Sequence, residues 1–219
     1  MVNSLMNILF PNRCLDCNTI IPPDEIVCEL CFSKIDFTHF DYHGNHSFRD
    51  KCSLLFPVER AFALMYFKEQ NLARKIIHAL KYKGRAKLGL KIADWTIPRI
   101  DFKDNKPDLL VSVPLHSKRL QTRGYNQLHL FTEKIAQHFE IPFNHCVFKR
   151  DFNTKAQALR NKISRQKNQG LFSFDQKVSN QHILLIDDVF TTGTTLSNLA
   201  WQLIEQNNTV SILVMALDN

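Results

Sequence analysis

No apolar run in this chain approaches the roughly 18–20 residues needed to cross a bilayer. The first residues, MVNSLMNILFPNR, contain neither a basic leader nor a small-residue cleavage site, so a signal peptide is not expected. Internal repeats, low-complexity tracts and the zincin pattern of histidines are also missing from the sequence. We therefore expect a cytoplasmic protein that does not insert into membranes.

The composition and the charge are those of a globular protein with an uneven surface. The 219 residues are 44% hydrophobic and 11% aromatic, enough for one ordinary domain plus a small appendage. Residues 1–52 carry four Lys/Arg and seven Asp/Glu, whereas residues 53–219 carry 24 and 14, a net charge of +10. A basic domain attracts polyanions. Phosphorylated small molecules and nucleic acid are both candidate ligands, and a solubilising surface excess is the alternative.

Four of the six cysteines form two C-x₂-C pairs, Cys14 with Cys17 and Cys28 with Cys31. This spacing predicts a tetrahedral structural Zn²⁺ site, because each pair supplies two thiolates and the pairs together close the tetrahedron. Two disulfides or a thioredoxin-like redox motif are the alternatives. Four thiolates leave the metal no open position, so a catalytic zinc is not expected. Cys52 and Cys146 are predicted to be ordinary buried or half-buried thiols.

From about residue 59, candidate strands alternate with candidate helices, which predicts an α/β fold with a parallel sheet flanked by helices. We expect a zinc-binding module and connector over 1–52, irregular between 32 and 58, and the α/β domain over 53–219. A polar, basic loop is predicted over 151–170, and Trp95 and Trp201 are predicted to belong to the core. The predicted strands are 60–67, 109–115, near 146–148, 182–186 and 209–217, and the predicted helices start at 72, 128 and 194.

The segment HILLIDDVFTTGTTL, residues 182–196, carries the clearest chemical signal. A buried strand brings Asp187 and Asp188 to the carboxyl edge of the sheet, where open α/β folds bind ligands. In the Thr/Gly turn that follows, Gly193 allows close backbone approach, and N–H groups at the start of a helix attract a phosphate. Because a carboxylate can accept two hydrogen bonds from vicinal hydroxyls, the segment predicts a ribose 5-phosphate site with Mg²⁺ nearby.

Residues 184–196 resemble the signature of type I phosphoribosyltransferases, which bind 5-phosphoribosyl-1-pyrophosphate (PRPP) with Mg²⁺. The whole chain is similar to the ComF family, in which a four-cysteine zinc module precedes a phosphoribosyltransferase-like domain and whose members are linked to DNA uptake in competence. The markers are LKYKGR (80–85), VPLHSKRLQTRGYNQ (113–127), and the spaced residues Thr154, Gln157, Arg165, Asn168 and Phe172.

The resemblance implies a set of site residues. Arg119 and Arg123 would hold the pyrophosphate, and Arg165 would lie in a mobile loop, 149–167, that closes over the donor. A solvated basic loop is the alternative for both segments, and a grip on a nucleic-acid backbone is a further alternative for 149–167. For Lys81, Lys83 and Arg85, the helix dipole is a sufficient explanation. The implied donor-binding residues are Asp187, Asp188, Thr191, Thr192, Gly193, Thr194 and Thr195.

Two functions follow from this resemblance. The first is a phosphoribosyltransferase that acts on an unknown acceptor in a role related to DNA uptake. The second is a non-catalytic DNA-handling or PRPP-sensing protein that binds single-stranded DNA and meets DNA-processing proteins. Some purine-salvage relatives carry an acid in the position of Thr191, and the sequence shows neither that acid nor an acceptor pocket.

Overall fold

The computed structural model of the chain describes residues 11–82, 85–115, 117–150 and 172–218, and of Ser117, Lys118 and Arg150 it describes the backbone alone. Arg165 and nearly all of the predicted mobile loop lie outside the described residues. The same holds for Lys83 and for the family markers Thr154, Gln157 and Asn168.

Seven strands and seven α-helices make up the described chain. The strands are β1 (Ala61–Phe67), β2 (Leu109–Ser112), β3 (Phe143–Asn144), β4 (Phe148–Arg150), β5 (Phe172–Phe174), β6 (His182–Phe190) and β7 (Thr209–Asp218). The helices are α1 (Glu29–Phe32), α2 (Ser47–Ser53), α3 (Leu72–Tyr82), α4 (Leu88–Thr96), α5 (Ser117–Arg123), α6 (His129–Phe139) and α7 (Thr194–Ile204), with a 3₁₀ turn at Ile97–Arg99.

Five strands form one parallel sheet in the order β1-β7-β6-β2-β3. The central strands are apolar on both faces: residues 183–186 of β6 and 212–217 of β7 are fully buried. A sheet buried on both faces needs a layer of helices on each side. The predicted fold class, a parallel sheet flanked by helices with a small four-cysteine module before it, is confirmed.

The register of β6 sets the position of the acids. β2 pairs with β6 only from Leu109 opposite Ile183 to Ser112 opposite Ile186. β7, in contrast, stays paired with β6 as far as Phe190. The last four residues of β6 therefore extend past the end of β2. They form one wall of a space at the carboxyl edge of the sheet.

The helices follow the predicted periodicity. The apolar residues Leu72, Ile76, Ile77 and Leu80 of α3 are buried, as are Phe131 and Ile135 of α6. Their spacing of three and four residues places them on one face, which packs on the sheet. No helix in the described part of the chain is long and apolar enough to cross a membrane.

Three local predictions are wrong or incomplete. The 32–58 connector contains a helix, α2, whose N-cap His46 accepts a hydrogen bond from the Arg49 amide. The strand expected near 146–148 is two short strands, because β3 joins the main sheet while β4 pairs antiparallel with β5. Cys146 lies between them and is exposed, whereas Cys52 is buried as expected.

The two tryptophans differ. Trp95 is buried as predicted, in edge contact with Phe32 of the cysteine module. Trp201 is 44% exposed, so its assignment to the core is wrong. Its indole N–H donates to the Leu55 carbonyl at 3.0 Å, which explains an exposed position on an otherwise apolar helix.

Candidate functional site

The two aspartates belong to β6 itself, because the strand runs on to Phe190 and does not end at Ile186 as predicted. Side chains alternate between the faces of a strand. Asp188 and Phe190 are accordingly buried, while Asp187 and Val189 are half-buried. The Asp187 carboxylate also accepts the amide of Asp188 at 2.8 Å. Thus the acids lie side by side at the carboxyl edge but face different surroundings.

Asp188 is the centre of a polar network. Only 7% of this residue is exposed. One carboxylate oxygen lies 2.9 Å from the ammonium of Lys81, and the other accepts from the Gln127 amide at 2.5 Å. Gln127 in turn accepts from the guanidinium of Arg123 at 3.0 Å. A buried carboxylate needs such partners, since an unpaired charge in the interior is costly.

The role predicted for Lys81 is therefore incomplete. The helix dipole is a sufficient explanation for this charge in the sequence, yet in the structure the ammonium lies against Asp188. The end of α3 is held at this place by a second contact, because the Tyr125 hydroxyl donates to the Leu80 carbonyl at 2.6 Å. Nothing in the spacing of LKYKGR indicates this contact, since Lys81 and Asp188 meet only after folding.

The turn after β6 leads into a helix whose N-cap has no side chain to bind its first backbone amides. Gly193 adopts a left-handed conformation with φ of 70°, and α7 starts at the next residue. The first amides of a helix have no intrahelical acceptor, and glycine at the N-cap offers no side chain to bind them. Thr191, Thr192 and Thr194 are exposed, and the hydroxyls of the last two lie 2.9 Å apart. This arrangement suits an anion.

Gly193 is also required by packing. A Cβ atom at this position would overlap the Leu55 side chain and lie 2.7 Å from the Phe190 ring. The ring of Phe190 is held in turn by an edge contact with Phe48 of α2, with the ring centroids 5.0 Å apart. The turn is thus fixed against α2 and the residues that follow it.

The arginines predicted to bind pyrophosphate occupy one short helix, α5. Arg123 joins the Asp188 network through Gln127, and its guanidinium lies 4.7 Å from the centre of the Tyr82 ring. Arg119 is exposed on the same helix. The structure therefore brings Arg123 to the acids, leaves Arg119 on the surface, and does not describe Arg165.

Beside the Thr/Gly turn is a cavity of about 430 Å³ that the sequence analysis did not find. Its walls come from α2, from the residues after α2, and from the ends of β6 and β7, so no single motif announces it. In the sequence, the adjacent apolar residues Leu54 and Leu55 could have indicated this cavity. The lining residues are Lys51, Leu54, Leu55, Phe190, Thr191, Thr192 and Asp218.

The four cysteines come together as predicted. Their sulfur atoms all lie within 4.8 Å of one another, and those of Cys17 and Cys28 are 3.6 Å apart. Four thiolates around zinc at about 2.3 Å would be separated by about 3.8 Å, so the cluster is compatible with zinc. All four thiols are free, so the alternative of two disulfides is not formed.

The surroundings of the cysteines affect their protonation. The hydroxyl of Thr19 lowers the pKa of Cys17 to about 6, and burial raises the pKa of Cys31. Cys31 also contacts Asp16, which pairs with Lys75 of α3 at 2.7 Å. A metal ion bound at this cluster would displace the proton of Cys31.

A histidine pair lies at the other edge of the site. His145 contacts the Ser112 hydroxyl at 2.8 Å through Nδ1 and Glu133 at 3.2 Å through Nε2. His129 stacks on His145, with the ring centroids 3.8 Å apart. Burial, and then the neighbouring His145, lower the pKa of His129 to about 4. Both rings are therefore held by contacts within the fold.

Comparisons with known proteins agree with the predicted resemblance. No protein-family model matches the chain. The competence protein ComFC of Bacillus subtilis is 25% identical over 211 residues, 88% of this chain and 84% of that protein. The DNA utilization protein YhgH of Escherichia coli K12 is 26% identical over 148 residues. The chain spans 65% of the length of the YhgH relatives it matches. Relatives with these names confirm the resemblance to the ComF family.

Solved structures with a similar trace include adenine phosphoribosyltransferases. The enzyme of Thermoanaerobacter pseudethanolicus aligns with a TM-score of 0.38 at 12% identity, covering 70% of this chain and 89% of that one. The enzyme of Leishmania donovani aligns with a TM-score of 0.37 at 15% identity, covering 78% of this chain and 80% of that one. Superpositions this loose do not bear on the fold assignment, which rests on the sheet described above.

Proposed function

We propose that this chain, which has ComF-type relatives, binds PRPP with Mg²⁺ and transfers the phosphoribosyl group to an acceptor. One observation carries the proposal: the left-handed turn at Gly193 starts α7 directly after an acidic strand end. The amides of Thr192–Thr195 would bind the 5-phosphate, because the start of a helix offers both unpaired N–H groups and a positive dipole.

In this proposal, the aspartates bind the ribose. Asp187 is half-buried in the part of β6 that extends past the end of β2, and its carboxylate would accept hydrogen bonds from the sugar hydroxyls. Asp188 already accepts from Lys81 and Gln127. Each carboxylate oxygen has a second lone pair, so a sugar hydroxyl could still be accepted. Mg²⁺ would enter with the pyrophosphate of the donor and neutralise its charge.

The proposed chemistry depends on cations and on geometry. As pyrophosphate leaves, negative charge grows on it, and Arg119, Arg123 and Arg165 would stabilise that charge. The acceptor would occupy the cavity beside Thr191, where mostly apolar walls favour a planar, weakly polar molecule. Since Thr191 is no base, proton removal from the acceptor would need another group.

The test is titration calorimetry with magnesium PRPP and with ribose 5-phosphate. Asp187→Asn should weaken both ligands about tenfold or more, since hydrogen bonds to a charged group contribute about 1.5–3 kcal/mol. Asp94→Asn is the control, because exposed Asp94 pairs with Lys134 on another helix. Unchanged affinity of the Asp187 variant would refute the ribose assignment.

Binding of single-stranded DNA is the second candidate. Relatives are named for DNA utilization and competence. An exposed aromatic residue, Tyr82, lies beside the Arg123 guanidinium, and aromatic rings next to cations are how single strands are commonly bound. A role in DNA uptake, with DNA-processing proteins as partners and a cytoplasmic location, completes this proposal.

Fluorescence anisotropy with a labelled oligonucleotide tests this candidate. Affinity should fall steeply with salt, because each neutralised phosphate releases a counterion. Tyr82→Ala should weaken binding by about 1–3 kcal/mol at any salt concentration. An affinity that does not change with salt would remove the DNA hypothesis and leave the donor site as it stands.

A further inference from the structure

The pair formed by Lys81 and Asp188 is not an ordinary surface ion pair. The other lysine pairs in the described chain join exposed or half-exposed side chains, such as Lys134 with Asp94. Asp188, by contrast, is nearly buried and carries the most enclosed carboxylate among these pairs. Because a buried pair is seldom retained for stability alone, the position of this ammonium calls for a functional explanation.

The ammonium keeps part of its binding capacity. A lysine has three N–H donors, and the described contact of Lys81 is with one oxygen of Asp188. The side chain is 24% exposed, and its partner Asp188 belongs to the part of β6 that extends past the end of β2. An anion bound at this edge of the sheet could therefore contact the remaining donors.

The surrounding network places a second cation at the same edge. Asp188 contacts Lys81 through one oxygen and Gln127 through the other, and Gln127 binds Arg123. One buried carboxylate therefore holds two cations in fixed positions, on α3 and on α5. Fixed cations bind phosphate better than mobile ones, because less side-chain entropy is lost.

We infer that Lys81 is a further donor-binding residue, which Asp188 holds in position to contact the diphosphate end of the donor. Asp188 is then chiefly a positioning residue, and the ribose hydroxyls are bound mainly by Asp187. This inference rests on the proposed function. It differs from the helix-dipole explanation because it predicts an effect specific to the diphosphate group.

The experiment compares Lys81→Gln with Lys134→Gln in calorimetric titrations. Both variants remove one lysine charge from an ion pair, and glutamine can still donate to the partner carboxylate. The ligands are magnesium PRPP, magnesium pyrophosphate and ribose 5-phosphate. Lys81→Gln should weaken the first two about tenfold or more and change the third by less than about threefold. Lys134→Gln should change none.

Two results would overturn the inference while leaving the proposed function in place. One is a Lys81→Gln protein that binds all three ligands like the wild type. The other is an equal loss for ribose 5-phosphate, which would mean that Lys81 acts only through Asp188. A wild-type protein that binds neither PRPP nor ribose 5-phosphate refutes the proposed function, and the inference with it.

A second variant covers the case in which Lys81→Gln does not fold. Lys81→Gln/Asp188→Asn removes both charges, so no unpaired charge is left buried. It is titrated with magnesium pyrophosphate, which needs no ribose contact, beside the wild type. Loss of the Asp188 charge alone would favour an anion, so a loss of about tenfold relative to the wild type supports the inference, and wild-type affinity overturns it.

Discussion

The cysteine module and the parallel sheet differ in how much regular structure they contain. The sheet buries two apolar strands, β6 and β7, on both faces, so its stability comes from packing. In the described part of the module, from residue 11 to the start of α2, the regular structure is limited to two isolated β-bridges and the four-residue helix α1. Ile26 and Val27 are buried there, but Leu30 is 80% exposed. A segment with so little regular structure would gain stability from a metal ion on its four cysteines, so we expect a metal-dependent region beside a packing-dependent one.

Removal of the metal should produce the largest difference between these regions. Structural zinc contributes on the order of 10–16 kcal/mol to small thiolate modules, so chelation should unfold the module. Trp95 reports this event because its ring contacts Phe32. We expect its fluorescence to change in a Trp201→Phe background while PRPP affinity stays within a few-fold of wild type. If chelation changed the Trp95 fluorescence and also abolished PRPP binding, the two regions would not fold independently. That result would contradict the predicted domain boundary between residues 52 and 53.

A substitution at Gly193 tests the contact between the Thr/Gly turn and the residues after α2. Alanine there would need a left-handed backbone and would overlap Leu55 and Phe190, so we expect a loss of about 3 kcal/mol in the free energy of unfolding. Gly124→Ala is the matched control, since its φ is also +75° but no atom lies within 4 Å. It should lose about 1 kcal/mol. Urea unfolding of both variants measures the difference, and equal losses would mean that packing contributes nothing.

The smallest predicted effect concerns pH at the far edge of the sheet. The pKa of His129 is lowered to about 4 by burial, against about 6.5 in an unfolded chain. Between these values the unfolded chain binds a proton that the folded one does not. Stability is therefore full above pH 6.5 and falls as the pH decreases toward 4.

In His129→Gln, the decrease in the free energy of unfolding between pH 7 and pH 5 should be about 1 kcal/mol smaller than in the wild type. This figure allows for partial solvent screening of His129. Urea unfolding at pH 7 and pH 5 measures it. His78→Gln, on the exposed face of α3, is the control. A His129 variant with the pH dependence of the wild type would contradict the assignment.

Periodic segments were predictable because their pattern is local. The spacing of Leu72, Ile76 and Leu80 determines a helical apolar face, and the uninterrupted run before Asp187 determines a buried strand. The exceptions have local physical causes as well. Trp201 is exposed because its indole finds an acceptor in Leu55, and α2 forms because His46 caps it.

The site was only partly predictable. The order of strand, acids, glycine turn and helix could be seen in consecutive residues. The partners of Asp188 could not, because Gln127 lies 61 residues away along the chain and Lys81 farther still. The cavity beside Thr191 was missed for the same reason, since its walls come from three separate segments.

By itself, the sequence determined the set of four cysteines, the apolar strands and the glycine turn after β6, since each depends on residues a few positions apart. Only the tertiary structure decided that the two neighbouring aspartates differ. Strand alternation turns Asp188 inward, where a buried charge has to be matched by Lys81 and Gln127 from distant segments. Backbone geometry is a local property, whereas the balance of a buried charge depends on everything that surrounds it.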